Sequence, residues 1–301
     1  MRHFVIHLSP KRWVQNLRSN IPKRKKRPKN GSKIFVFKRN WLTAIACCAA
    51  ACVMFAIVNH PAIVGASATT RQLPIYSVER EYKVCSLSFD AAWGNEDAQQ
   101  LIDILGKHHI KATFFVVGAW VDKYPESVKA LSDAGHEVMN HSDTHAHMTK
   151  LSKEEIISDI QSCNAKVAAV TGVTPTLIRP PYGEYDDNVI TAIRSIGMEP
   201  VQWDVDSLDW KDLSASEITK RVTEHVGPGS IVLFHNAALH TPAALDGIIQ
   251  ILIQKGYSFL PISELIFDAP YTIDHTGRQF SAATTSPAAS PNVAVPPSPK
   301  A

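Results

Sequence analysis

Two imidazoles four residues apart, in His141-Ser-Asp-Thr-His145, fall between a strand-like run at Glu137–Asn140 and a helix-like run at Ser152–Thr171. Placed in such a loop, both rings can grip one metal ion. An H-x-x-x-H spacing recurs by chance on protein surfaces, so its weight comes from its company. Ser88-Phe89-Asp90 lies upstream, and Arg179-Pro180-Pro181-Tyr182-Gly183, Asp206-Ser-Leu-Asp209-Trp210 and Leu233-Phe234-His235 follow. Each block stands where a predicted strand ends. A carboxylate, a guanidinium and an imidazole on separate loops are residue types for proton transfer, and a module that only bound ligand would have no physical need of them.

The elements that must hold these blocks are legible between Lys83 and Leu265, where short β-rich runs alternate with longer helix-period runs. That alternation predicts βα units around a parallel sheet or barrel. Strands are expected at Val84–Phe89, Ala112–Val117, Glu137–Asn140, Thr176–Ile178, Glu199–Trp203, Ile231–Phe234 and Tyr257–Leu260. Helices are expected at Ala98–His108, Ser127–Ala134, Lys153–Val170, Asp187–Ile196, Ser214–Glu224 and Pro242–Lys255, the third beginning at Ser152 with Glu154 and Glu155 in its first turn. The chemistry-bearing residues cluster at C-terminal strand ends, where barrel enzymes assemble their sites. No Gly-rich phosphate loop and no internal repeat is present.

In this order, the blocks resemble the polysaccharide deacetylase family (NodB homology, carbohydrate esterase family 4) over roughly Lys83 to Leu265. The resemblance implies an α/β fold, a distorted (β/α) barrel, and metal-dependent removal of N-acetyl groups from cell-wall glycan. His141 and His145 would then ligate a divalent ion, zinc first, with cobalt or another first-row metal as alternatives. Such an ion lowers the pKa of a water and polarises the carbonyl. Asp90 would be the general base, oriented and kept ionised by Arg179. His235 would protonate the departing amine, with Asp209 as its partner. Trp210 and Leu233 would line the acetyl pocket, while Pro181 and Tyr182 would sit on the substrate side, the Tyr182 N–H facing the oxyanion.

One position departs from the family pattern. Two adjacent aspartates usually follow the first strand, base then metal ligand, whereas here Asp90 is followed by Ala91. The run Phe89-Asp-Ala-Ala-Trp93-Gly94 is instead similar to a subgroup from Gram-positive, often spore-forming, bacteria with Phe-Asp-x-x-Trp-Gly. Three outcomes are open: Glu96 or Asp97 substitutes as a ligand by proximity, His141 and His145 suffice with water, or the chain is a membrane-anchored glycan-binding relative with weak or no activity. Groove shape decides between N-acetylglucosamine, N-acetylmuramic acid and chitin-like oligomers.

The ends of the chain bear on its location. The first forty residues carry thirteen Lys and Arg, and no Asp or Glu precedes Glu79. An apolar run from Trp41 to Val58 follows at once, so residues 1–40 read as a basic cytoplasmic segment and 41–66 as a transmembrane signal-anchor. The basic arm then faces lipid headgroups, and nucleic acid is not expected as a partner. Residues 67–80 read as a linker, 81–270 as the deacetylase domain outside the cell membrane, and 271–301 as a disordered Pro/Ser/Ala-rich tail. Ala66-Ser67-Ala68 has the form of a signal-peptidase site, so release after cleavage near Ala68 is the alternative to retention. Beyond residue 40 the balance is 18 Lys and Arg against 28 Asp and Glu, a net of −10, which suits a neutral or cationic glycan. Cys85 and Cys163 are expected to be buried apolar residues, with no disulfide framework.

Overall fold

The computed structural model describes residues 39–58 and 71–282 and divides the chain into two compact units, Met1–Thr69 and Thr70–Ala301. In the first, Arg39–Val58 is a helix of 20 residues (α1), whose side chains are described at 44–55 and are all exposed there. A spanning helix needs about 20 predominantly apolar residues. Over the described residues no helix is long and apolar enough to cross a membrane. The expected span over 41–66 is therefore not observed: α1 ends at Val58, and residues 59–66 lie outside the described residues. So do the basic segment before α1, the Ala66-Ser67-Ala68 motif and residues 283–301.

The second unit is organised around the strand Val84–Ala91, all eight residues of which are buried. Preceded by Ser77–Val78 (β1), it is β2, and its pleat sorts the side chains. Cys85, Leu87, Phe89 and Ala91 join the larger apolar cluster with Leu101, Leu105 and Val121, while Val84 joins the other layer with Phe115, Met139 and Ile231. Phe89 stacks between Phe114 and Phe234 at centroid distances of 4.8 and 5.3 Å. Parallel ladders tie β2 to Thr113–Val116 (β3), which pairs with Glu137–Asn140 (β4), then Leu177–Ile178 (β5), then Glu199–Pro200 (β6). On its other side β2 pairs in parallel with Ser230–His235 (β8), itself paired with Val205–Asp206 (β7), and Ser258–Phe259 (β9) joins the start of β2. The sheet curls until Ile75 bridges Val201, making an α/β half-barrel whose open side is spanned by one bridge.

Helices pack outside: Ala98–Lys107 (α2), Gly118–Lys123 (α3), Pro125–Asp133 (α4), Lys153–Thr171 (α5), Asp187–Ser195 (α6), Ala215–His225 (α7), Thr241–Gln254 (α8) and the short Ile262–Leu265 (α9). α5 opens on a capping box, Ser152 Oγ accepting from the Glu155 N–H and the Glu155 carboxylate accepting from the Ser152 N–H, and closes on Gly172 at φ 77°. That left-handed terminus is why a glycine ends it.

Two expected boundaries are corrected. The segment assigned to the linker enters the sheet at β1, which lies antiparallel to β8. The segment assigned to the tail from residue 271 instead folds as Tyr271–Ile273 (β10) antiparallel to Arg278–Ser281 (β11), with β11 parallel to β1. These short strands show little alternation. They are held by distant partners, Arg278 pairing with Glu79 at 2.6 Å and donating to the Pro228 carbonyl. Cys85 and Cys163 are free and buried, as expected, and burial pushes the Cys163 thiol up to about 12.

His136 adds a pH dependence to this fold. Its Nδ1 accepts from the Ala112 N–H while its Nε2 is buried without a partner among the described residues. Burial, helped by the Lys111 charge, pulls its pKa down to about 4. The unfolded ring protonates near pH 6.5 and the folded one near 4, so stability present above pH 6.5 is lost as pH falls between them, by on the order of 2–3 kcal/mol. The melting temperature therefore drops from pH 7 to pH 5, and drops less in His136→Gln; equal drops would remove His136 from the account.

Candidate active site

Because the rungs of β2, β3, β4, β5 and β8 are parallel, their C-terminal ends meet at one rim. Register aligns the groups there: Asp90 is paired with His235 across β2 and β8, and Asn140 with Ile178 immediately before His141 and Arg179. Asp90 is 5% exposed and Arg179 is fully buried beneath it. The Arg179 Nη1 donates to Asp90 Oδ1 at 2.7 Å, and Nη2 donates to Ser88 Oγ at 2.8 Å and to the Gln202 carbonyl at 3.2 Å. Burial works to raise the Asp90 carboxyl, but Arg179, with His141 and His235, outweighs it and holds the group below its ordinary pKa. Asp90 is thus an ionised, oriented carboxylate.

His141, buried, has Nδ1 2.7 Å from the Arg179 carbonyl. A carbonyl only accepts, so Nδ1 carries the proton and Nε2 keeps a lone pair, 3.5 Å from Asp90 Oδ2. The His145 ring lies 5.0 Å from it at 69°. Burial lowers both imidazoles, His145 to about 4, the neighbouring histidines adding to the effect. Two neutral rings, one with its far N–H on a backbone carbonyl, are of the ligand type that first-row transition metals take. Asp159 on α5 fixes the loop between them by accepting from the Asp143 N–H and the Thr144 hydroxyl.

A third protein ligand is not delivered. Among the described residues no three His, Cys, Asp or Glu are grouped to hold a metal ion. Ala91, 1% exposed, faces the apolar layer with Phe89. The expected substitutes do not line the cavity: Glu96 is exposed, and Asp97 is buried with its carboxylate accepting from the Ala237 N–H at 2.9 Å. The residues present therefore fit a divalent ion through two protein ligands. Zinc titration of metal-free chain is expected to show binding lost in His141→Ala and unchanged in Glu96→Ala and Asp97→Ala; weakened binding in either of the last two would restore that carboxylate as a ligand.

Opposite the histidines, Asp209 is 1% exposed and accepts from the His235 ring, the His235 N–H and the Thr241 hydroxyl at 2.8, 2.8 and 2.7 Å. The first contact makes Nδ1 the protonated nitrogen. Burial works against the imidazolium, yet the Asp209 hydrogen bond and charge prevail and raise the His235 pKa above its ordinary value.

A cavity of about 680 Å³ joins these groups, with Leu233 on its wall as expected. Trp210 and Tyr182 line it at 55% exposure each. Tyr182, at φ 62°, stacks on His147 at 4.2 Å and meets His145 edge-on at 4.5 Å, while His147 Nδ1 lies 2.8 Å from the Glu184 carboxylate. Pro181 is a correction: it is buried and does not line the cavity, and instead shapes the turn by accepting from the Glu184 N–H. Trp93, Trp203, Asp206, Asp212 and Asn236 line the cavity without having been assigned a place there. Trp93, in the Phe-Asp-x-x-Trp-Gly run and edge-on to His145 at 5.7 Å, and Asp206, at the head of the Asp206-Ser-Leu-Asp209-Trp210 block, carried a sequence signal.

A profile for the polysaccharide deacetylase family matches residues 77–201. The peptidoglycan-N-acetylglucosamine deacetylase PgdA of Listeria monocytogenes is 38% identical over 183 residues, 61% of this chain and 39% of that protein. The peptidoglycan-N-acetylmuramic acid deacetylase PdaA of Bacillus subtilis is 33% identical over 191 residues, 62% of this chain and 72% of that one. The chain thus spans about two fifths of the length of relatives such as PgdA. In three dimensions it is similar to a CE4 family pseudoenzyme from Bacillus anthracis, with TM-score 0.62, 38% identity and coverage of 64% and 68%. A mutant of that pseudoenzyme has restored enzymatic activity.

Proposed function

The chain belongs to the polysaccharide deacetylase family, and from that premise we propose that it is a metal-dependent hydrolase removing N-acetyl groups from cell-wall glycan. The observation that carries this reading is the pairing of two oriented dyads across one cavity: Asp90 with Arg179 at 2.7 Å and His235 with Asp209 at 2.8 Å. A divalent ion on His141 and His145, zinc first, would supply Lewis acidity to the acetyl carbonyl and to the attacking water. Asp90, kept ionised by Arg179, takes the water's proton. The His235 imidazolium, directed by Asp209, gives a proton to the departing amine, so that acetate and the free amino sugar leave. Trp210 and Leu233 enclose the acetyl group, and the Tyr182 N–H faces the oxyanion.

The cations that precede the apolar run beginning at Trp41, together with the Ala66-Ser67-Ala68 motif, support export of the catalytic unit with cleavage near Ala68. A second reading, a glycan-binding relative with weak or no activity, is favoured by Ala91 and by similarity to the Bacillus anthracis pseudoenzyme. Acetate release from peptidoglycan and chitin oligomers by the full-length chain, with zinc, with cobalt and with chelator, separates the two. Metal-dependent release that disappears in His141→Ala supports the hydrolase; glycan binding without release under any condition supports the second reading.

A further inference from the structure

Apart from histidines and the Tyr182 phenol, the ionisable groups lining the cavity are carboxylates, Asp90, Asp206, Asp209 and Asp212, and no Lys or Arg among the described residues lines it. Two of these charges are answered locally, Asp90 by Arg179 and Asp209 by His235. Asp206 and Asp212 have no ion-pair partner among the described residues. The Asp206 carboxylate accepts from the Leu208 N–H, and Lys211, next to Asp212 in the chain, places its ammonium 4.7 Å over the Trp210 ring. Trp93, Tyr182 and Trp210 are more than half exposed and present uncharged ring surface at the same cavity. Apolar sugar faces can lie on such rings without bringing charge.

The amino sugars of cell-wall glycan differ in charge. A glucosamine unit is neutral when N-acetylated and cationic when the amine is free, whereas a muramyl unit carries a lactyl carboxylate or a peptide bearing carboxylates. Bringing a second anion beside Asp206, which interacts with the Arg179 and His235 charges but is in no ion pair among the described residues, and beside the exposed Asp212 is repulsive, and like-charge juxtaposition is an effective way to reject a competitor that shape alone admits. We propose that this cavity selects its glycan by charge, Asp206 and Asp212 rejecting carboxylate-bearing muramyl units and leaving glucosamine units as its substrate class. The proposal rests on the hydrolase reading for what happens to the bound sugar, but the selection itself is a property of binding.

Calorimetric binding to the full-length, chelator-treated chain tests it without turnover, using chitotetraose and a glucosaminyl-muramyl tetrasaccharide at about 20 and 300 mM salt. At low salt the muramyl oligomer is expected to bind at least about tenfold more weakly than chitotetraose, the gap narrowing at high salt as the repulsion is screened. In the near-isosteric double variant Asp206→Asn, Asp212→Asn the gap is expected to fall to about threefold or less. Equal or tighter muramyl binding by the unaltered chain, or a gap untouched by both salt and substitution, overturns the proposal; the salt series on the unaltered chain stands even where the variant misfolds. Acetate assays on the metal-loaded chain keep the two ideas apart. The expected binding order without acetate release would sink the hydrolase reading alone, and acetate release with the reverse order would sink charge selection alone.

Discussion

Replacing Arg179 with methionine is expected to lower the free energy of unfolding by about 3–5 kcal/mol at pH 7, the cost of stranding one partner of a buried ion pair. The guanidinium is fully buried, donates to Asp90, Ser88 and the Gln202 carbonyl, and lies 4.3 Å from the Phe115 ring centre. Methionine preserves some of the packing and none of the charge. Asp90 would then be left with burial as the dominant influence, and its pKa, now held low, would rise. The sign of the pH dependence follows. In the unaltered chain the Asp90 contribution is present above the unfolded carboxyl pKa and is lost as pH falls through the lower folded value. In the variant the ionised carboxylate is itself the penalty, relieved as pH falls. The stability gap should therefore be widest near neutrality and shrink toward pH 4, as read by urea unfolding at several pH values. A loss under about 1 kcal/mol would mean that water or another donor takes over the guanidinium's role.

Asp209→Asn is expected to reduce acetate release by about 10²–10⁴-fold, the range for losing a positioned acid–base group. The carboxylate accepts three hydrogen bonds, two from His235 and one from Thr241. An amide that turns its NH₂ toward the ring would favour the other tautomer of His235, and without the carboxylate's charge burial would pull the imidazole pKa down. The acid works while protonated and is lost as pH rises through its pKa. The alkaline limb of kcat/KM should thus move to lower pH in Asp209→Asn and vanish in His235→Ala. An alkaline limb that stays in place in Asp209→Asn would assign it to a different group.

The legible part of this protein was what neighbouring residues encode. The β4 strand Glu137–Asn140 and the start of α5 at Lys153 were readable because a short β-rich run after the Gly135 break and the Ser152–Glu155 cap act within a few residues. The chemical blocks were readable for the same reason, each being a short run at a strand end. Less legible were β1, β10 and β11, whose strands of two to four residues exist through partners far along the chain, such as Glu79 with Arg278.

Residue types and local order established which groups were on offer: an imidazole pair at His141 and His145, a carboxylate at Asp90, a further imidazole at His235, and at position 91 an alanine whose side chain no fold can turn into a ligand. Tertiary structure alone decided how they meet. Parallel register set Asp90 beside His235 and brought Arg179 against Asp90, the β2 pleat turned Ala91 toward the apolar layer, and the Ala237 N–H took the Asp97 carboxylate that sequence proximity had offered to the metal. The reason is physical: chemical identity belongs to a side chain, whereas ionisation, tautomer and reach depend on burial and on partners, such as Asp90 and Arg179, that are 89 residues apart in the chain.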